Sequence, residues 1–127
     1  MKHLYHPSAL DTANPVKSWW RDSKTDFPAY PELESEIDTE VAIIGGGFTG
    51  LSAAYHLQRD HQTQAVVLER SYIGWGASGR NGGFCCMGSS KMPWSKMIEK
   101  FGLEEAQTFW RSQKASVELV AEIVDRE

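Results

Sequence analysis

The sequence is short of cysteine, of clustered basic residues and of long apolar runs, and each shortage removes a class of protein. Its only thiols are the neighbours Cys85 and Cys86. Adjacent cysteines close a strained ring if bridged, so they cannot form a disulfide framework. They cannot make a structural zinc site either, because no Cys or His pair at ligand spacing accompanies them, and His3, His6, His56 and His61 show no metal spacing of their own. The pair reads as reduced thiols in a packed loop. Acidic residues outnumber basic ones, 17 to 13, giving a net charge of −4. No Lys/Arg cluster offers a phosphate-binding face, which argues against a nucleic-acid partner. No stretch has the apolar length of a signal-peptide core or a membrane span, so the cytoplasm is the expected compartment.

What is present changes in texture along the chain. Residues 1–36 read as an arm. Pro7, Pro15, Pro28 and Pro31 interrupt any regular element, yet Trp19, Trp20, Phe27 and Tyr30 are too apolar for a disordered tail. The expectation is an extended segment pinned to the body by these aromatics. Acidic residues alternate from Glu32 to Glu40 as a solvated lead-in. Residues 37–127 then form the body. Val41, Ala42, Ile43 and Ile44 suggest a strand buried on both faces. A glycine turn follows, then a helix from Phe48 or Thr49 to about Arg59 with Leu51, Ala54, Tyr55 and Gln58 on one face. The apolar run Ala65-Val66-Val67-Leu68 is a second strand, and so short a crossover makes the two parallel.

Residues 70–90 hold six glycines (Gly74, Gly76, Gly79, Gly82, Gly83 and Gly88) and almost no periodicity. A short helix is expected after Pro93, running to about Lys100. Beyond Gly102, the residues Leu103, Ala106, Trp110, Val117, Val120 and Val124 recur at helical spacing, and this stripe reads as core packing. Trp94, Phe101 and Trp110 likewise read as helical core. The chain stops at Glu127 with no cap or breaker, so it reads as part of a longer protein.

The chemistry concentrates in IIGGGFTG and Glu69. Gly45, Gly47 and Gly50 fit G-x-G-x-x-G directly after a strand and at the start of a helix, the context a dinucleotide site requires. Gly45 permits the turn out of the strand, Gly47 lets the backbone approach a pyrophosphate, and Gly50 lets the helix pack on the strands. Phe48 and Thr49 belong to the same turn, where free N–H groups and the helix dipole favour an anion. Glu69, at the end of the second strand, can accept both hydroxyls of an adenosine ribose and would repel a 2′-phosphate. FAD and NAD share this half-site. The second small-residue loop, GWGASGRNGGF, favours FAD, because Ser78, Arg80 and Asn81 supply donors able to reach an extended cofactor.

Together IGGGFTGLSAAYHL, VVLER and GWGASGRNGGF resemble the D-amino-acid-oxidase-type family of FAD-dependent oxidoreductases. Within it they are most similar to the bacterial gamma-glutamylputrescine-oxidoreductase-like group, which also carries an aromatic arm like NPVKSWW. The resemblance implies an α/β fold with a parallel, Rossmann-like FAD-binding core, present here as its N-terminal portion, with a sheet-rich substrate domain elsewhere. It implies oxidation of a small amine or amino acid by hydride transfer to flavin N5. It places Gly45, Gly47, Gly50, Glu69 and Arg70 on AMP and pyrophosphate contacts, and Ala77, Ser78, Gly79, Arg80, Asn81, Gly82 and Gly83 on the loop passing the flavin. The expected cofactor is non-covalent FAD, since the flavin-side loop holds no histidine to link it. Two rival readings stay open: an NAD-linked dehydrogenase domain, and a fragment that acts as an interaction module.

Overall fold

A computed structural model describes residues 6, 9, 11–14, 17–24, 26–88 and 91–127; His3, Pro7 and Pro15 lie outside them. The chain divides into two compact units, residues 1–81 and residues 82–127.

The arm of the first unit contains one helical turn, α1 (Trp19–Asp22). The Ser18 hydroxyl accepts from the Arg21 N–H at 3.3 Å and so caps it. Four residues are too few to display a period, which is why the sequence pattern suggests only extended chain here. Of the four aromatics expected to pin the arm, Trp20 bonds to the body. Trp19 is 75% and Tyr30 67% exposed, so burial of aromatics is not the anchor. Instead the Trp20 indole N–H donates to the Asn81 carbonyl at 2.8 Å, and the Arg21 guanidinium lies 3.9 Å from the centre of the Tyr72 ring.

The body of this unit is β1 (Val41–Ile44), α2 (Phe48–His61) and β2 (Ala65–Leu68). The strands pair in parallel, in register from Val41 opposite Ala65 to Ile44 opposite Leu68. The Gly45 N–H adds a further bond to the Leu68 carbonyl at 2.8 Å. The α2 helix closes at Gln62, a left-handed residue with φ 54°. Its less exposed residues are Ala54, Tyr55, His56 and Leu57, whereas Leu51 and Gln58 face solvent.

Burial of β1 alternates. Val41 and Ile43 are half-buried, Ile43 on the α2 side, while Ile44 is 81% exposed. An apolar run cannot distinguish a strand covered on both faces from one covered on a single face. Here α2 covers one face. On the other, lead-in residues Leu33 to Thr39 line with Ala42, Val66 and Leu68 an open groove of about 600 Å³.

The second unit holds α3 (Trp94–Phe101) and α4 (Leu103–Arg126), separated by Gly102 at φ 88°. Met97 and Ala106 are its buried apolar residues. Trp94 packs edge-on against Trp110 at 5.0 Å between ring centres, but both rings remain more than a third exposed, as does Phe101. The expected stripe of α4 is thus buried only at Ala106, with Val117 half-covered and Val124 73% exposed. The reason is length: at 1.5 Å per residue α4 runs about 36 Å and α3 about 12 Å, so most of α4 has no α3 beside it. Cys85 and Cys86 are exposed rather than packed. Among the described residues, no helix is long and apolar enough to cross a membrane.

Candidate functional site

The turn after β1 and the loop after β2 are built into each other. Gly45 has φ 102°, a left-handed conformation that only glycine adopts without strain. Gly46, which is buried, then bonds in two directions. Its N–H donates to Glu69 Oε2 at 2.8 Å, and its carbonyl accepts from the Gly74 N–H at 2.9 Å. The other carboxylate oxygen, Oε1, accepts from the Ser71 N–H at 3.0 Å. Glu69 therefore ties β2 to the glycine turn. A carboxylate offers about four acceptor positions, so two N–H bonds leave capacity for two ribose hydroxyls.

The start of α2 meets the second loop at Ser78. Gly47 is the N-cap and supplies no side-chain cap. The Phe48 N–H donates to Ser78 Oγ at 2.9 Å, and a Cβ on Gly47 would stand 2.9 Å from that same oxygen. An oxygen acceptor thus already sits over the helix N-terminus, where backbone donors and the macrodipole favour anionic oxygens. Gly50 is a packing glycine: a Cβ there would run into the Gly45 carbonyl oxygen and lie 3.2 Å from Ile43 Cγ2.

Behind Ser78, a 3-10 turn spans Ala77–Gly79. Asn81 closes it by donating from Nδ2 to the Ser78 carbonyl at 2.8 Å and the Ala77 carbonyl at 3.2 Å. A Cβ on Gly79 would overlap the Gly74 carbonyl oxygen. The Arg80 guanidinium lies 4.5 Å from the centre of the Trp75 ring, and that of Arg70 lies 5.7 Å from it.

Of the residues singled out from the sequence, Gly45, Gly47, Phe48, Gly50, Glu69 and Ser78 lie together around this junction. Ala77, Gly79 and Asn81 shape the loop that carries Ser78. Arg70 and Arg80 flank Trp75, and Thr49 sits in the first turn of α2. Gly82 and Gly83 open the second unit. Gly46 and Ser71 carry no signal of their own in the sequence, and Gly74 and Trp75 stand out there only as part of the glycine-rich loop. Gly46 is marked only by the run of three glycines, since two of them are all the motif needs. Trp75 Nε1 is buried without a hydrogen-bond partner among the described residues, so the second loop contains a donor still to be satisfied.

On α2, His56 Nδ1 lies 3.0 Å from Asp60 Oδ2, and Arg59 bonds the same carboxylate through both Nε and Nη2. Hydrogen bonds from Arg59, then His56, hold the Asp60 carboxyl well below the usual carboxylate range. His56 is thereby engaged in an exposed ion-pair cluster.

These features suit a dinucleotide. The glycine cradle is one that a Cβ would fill, the helix start is uncapped by its own side chain, and acceptor capacity remains on Glu69.

Comparison with known proteins bears on which one. The family described as FAD dependent oxidoreductase (DAO) matches residues 40–126. The gamma-glutamylputrescine oxidoreductase of Escherichia coli is 36% identical over 112 residues, covering 87% of this chain and 26% of that protein. A probable oxidoreductase, OrdL, of Rhizobium meliloti is 38% identical over 95 residues, 74% of this chain and 22% of that protein. The sarcosine oxidase subunit beta of the same organism is 39% identical over 62 residues, 48% of this chain and 15% of that protein. The chain spans about a quarter of the length of the first curated relatives it matches. No solved structure matches it.

Proposed function

This chain belongs to the DAO family of FAD-dependent oxidoreductases, and on that premise we propose that it carries the first part of a Rossmann-like FAD domain in an enzyme that oxidises a small amine or amino acid. The family's dependence on FAD answers the choice between FAD and NAD that the glycine motif alone leaves open. The observation that supports the site most strongly is the bond from the Gly46 N–H to Glu69 Oε2, which brings the glycine turn and the acidic end of β2 within one hydrogen bond.

In this reading Gly45, Gly47, Phe48, Thr49 and Gly50 form the pyrophosphate cradle. Glu69 accepts the ribose hydroxyls with the positions its two backbone donors leave open, and Arg70 stands beside it. Ala77, Ser78, Gly79, Arg80 and Asn81, continuing into Gly82 and Gly83, form the loop along the flavin side. Bound FAD supplies the acceptor for the hydride that leaves the carbon next to the amine nitrogen. The chain's own work is to bind and orient: backbone N–H groups meet negative charge at a helix start, and a carboxylate fixes the ribose. The amine reading is supported by the relatives, one an oxidoreductase of gamma-glutamylputrescine and another a subunit of sarcosine oxidase.

The test is anaerobic titration of the full-length protein with polyamines, their gamma-glutamyl conjugates and N-methyl amino acids. Bleaching of flavin absorbance by one of these classes is the expected result. A flavin-loaded protein that none of them reduces would overturn the substrate class.

A further inference from the structure

We propose that Trp20, in the arm, is a positioning residue for the cofactor loop, so that the arm is a working part of the FAD site. The inference rests on the FAD reading above and goes beyond it, since nothing in the glycine motif or the ribose carboxylate involves residues before β1.

Trp20 and Asn81 are 61 positions apart, yet the indole N–H donates to the Asn81 carbonyl at 2.8 Å. Asn81 in turn donates from Nδ2 to the carbonyls of Ala77 and Ser78. Ser78 Oγ then accepts from the Phe48 N–H at the start of α2. Three hydrogen-bonded links therefore run from the arm to the helix end that meets the pyrophosphate. The seat of Trp20 is fixed locally as well. Ser18 caps α1, and the neighbouring Arg21 stacks on Tyr72 at 3.9 Å. A guanidinium this close to a ring face is favourably placed. Trp20 is 43% exposed, and its N–H is what distinguishes it from other aromatics that could cover the same surface.

The loop that Trp20 holds is glycine-rich with a single 3-10 turn, and Asn81, where Trp20 reaches it, is the residue that closes that turn. Releasing its Asn81 end lets the loop sample positions in which Ser78 no longer addresses α2. FAD must then bear the cost of ordering it. The arm should thus affect cofactor affinity more than the stability of the apoprotein.

The experiment uses full-length protein, stripped of flavin and titrated with FAD, as the parent and as Trp20→Phe, which keeps the ring and removes the donor. Trp19→Phe is the control, because Trp19 is 75% exposed and, among the described residues, its indole makes no hydrogen bond to the loop. The expected result is a Kd for FAD raised about fivefold in Trp20→Phe, the range of one lost hydrogen bond. The visible circular dichroism of the bound flavin should change, while Trp19→Phe and the apoprotein melting temperature stay at parent values. Should Trp20→Phe prove insoluble, Arg21→Gln removes the arm's other anchor and should weaken FAD in the same direction. Unchanged FAD affinity in the soluble variant overturns the proposal, and so does a loss of apoprotein stability with unaltered flavin dichroism. A parent protein that takes up no FAD overturns the FAD reading itself, a result separable from a parent that binds FAD and a variant that binds it equally well.

Discussion

The Glu69 carboxylate stands 2.8 Å from the amide nitrogen of Gly46, across the gap between the end of β2 and the turn that leaves β1. One side chain therefore orders the turn and, in the proposed reading, presents its remaining acceptor positions to a ribose. Because Oε1 is engaged by the Ser71 N–H as well, the carboxylate cannot swing away without leaving a backbone donor unpaired.

This double duty sets the first prediction. Glu69→Arg replaces an acceptor with a donor and strands the buried Gly46 N–H, which costs about 1–3 kcal/mol before any ribose contact is counted. FAD affinity of the full-length variant, measured by flavin fluorescence titration, should fall about 100-fold, the equivalent of about 2.7 kcal/mol. Affinity equal to the parent's would remove Glu69 from the site.

Gly47 and Gly50 should fail in different ways. A Cβ on Gly47 meets Ser78 Oγ at 2.9 Å in the proposed cradle, whereas a Cβ on Gly50 drives into the Gly45 backbone. Gly47→Val should therefore yield protein without flavin. Gly50→Ala should lower the melting temperature of the apoprotein, the overpacking costing about 1–3 kcal/mol. A soluble, normally flavinylated Gly47→Val protein would show that this turn is not the phosphate cradle.

The flavin is expected to be held without a covalent link. The loop from Gly76 to Phe84 holds no histidine, and adjacent residues in an extended segment point to opposite sides, so at most one of Cys85 and Cys86 could face the ring. Acid denaturation of the full-length enzyme should release all yellow colour to the supernatant. Colour that remains in the pellet, and disappears in Cys85→Ser or Cys86→Ser, would contradict this.

The α2 ion pairs, by contrast, should matter little. A carboxyl whose folded pKa is depressed, as that of Asp60 is, stabilises the fold above its unfolded pKa of about 4 and loses that contribution as pH falls through the lower folded value. Asp60 is an exposed surface group, so solvent screens the pair. The melting temperature of Asp60→Asn should match the parent's from pH 7 down to about pH 4. A drop of several degrees at pH 7 would mean that the Arg59–Asp60–His56 cluster supports α2 more than exposure allows.

Much of the candidate site's local geometry was legible because its signals are local. Strand, glycine turn, helix and Glu69 follow each other within one crossover, and the two strands, α2, α3 and α4 lie where periodicity and glycines put them. What escaped depends on distance in sequence. The Gly46–Glu69 bond joins residues 23 apart and Trp20–Asn81 joins residues 61 apart, and neither has a pattern a window can detect. The α1 turn escaped because it is a single capped turn. The α4 stripe misled for the opposite reason: its period is clear, but period predicts a face and not the presence of something to cover it. The same holds for Ile44, apolar in an apolar strand and yet exposed.

The most direct test of the account is the absorbance spectrum of the full-length protein as purified, followed by anaerobic addition of gamma-glutamyl polyamines and N-methyl amino acids. Flavin bands are expected in the native protein, released intact as FAD on denaturation and bleached by one of these amine classes. A colourless protein that fails to take up added FAD would contradict it.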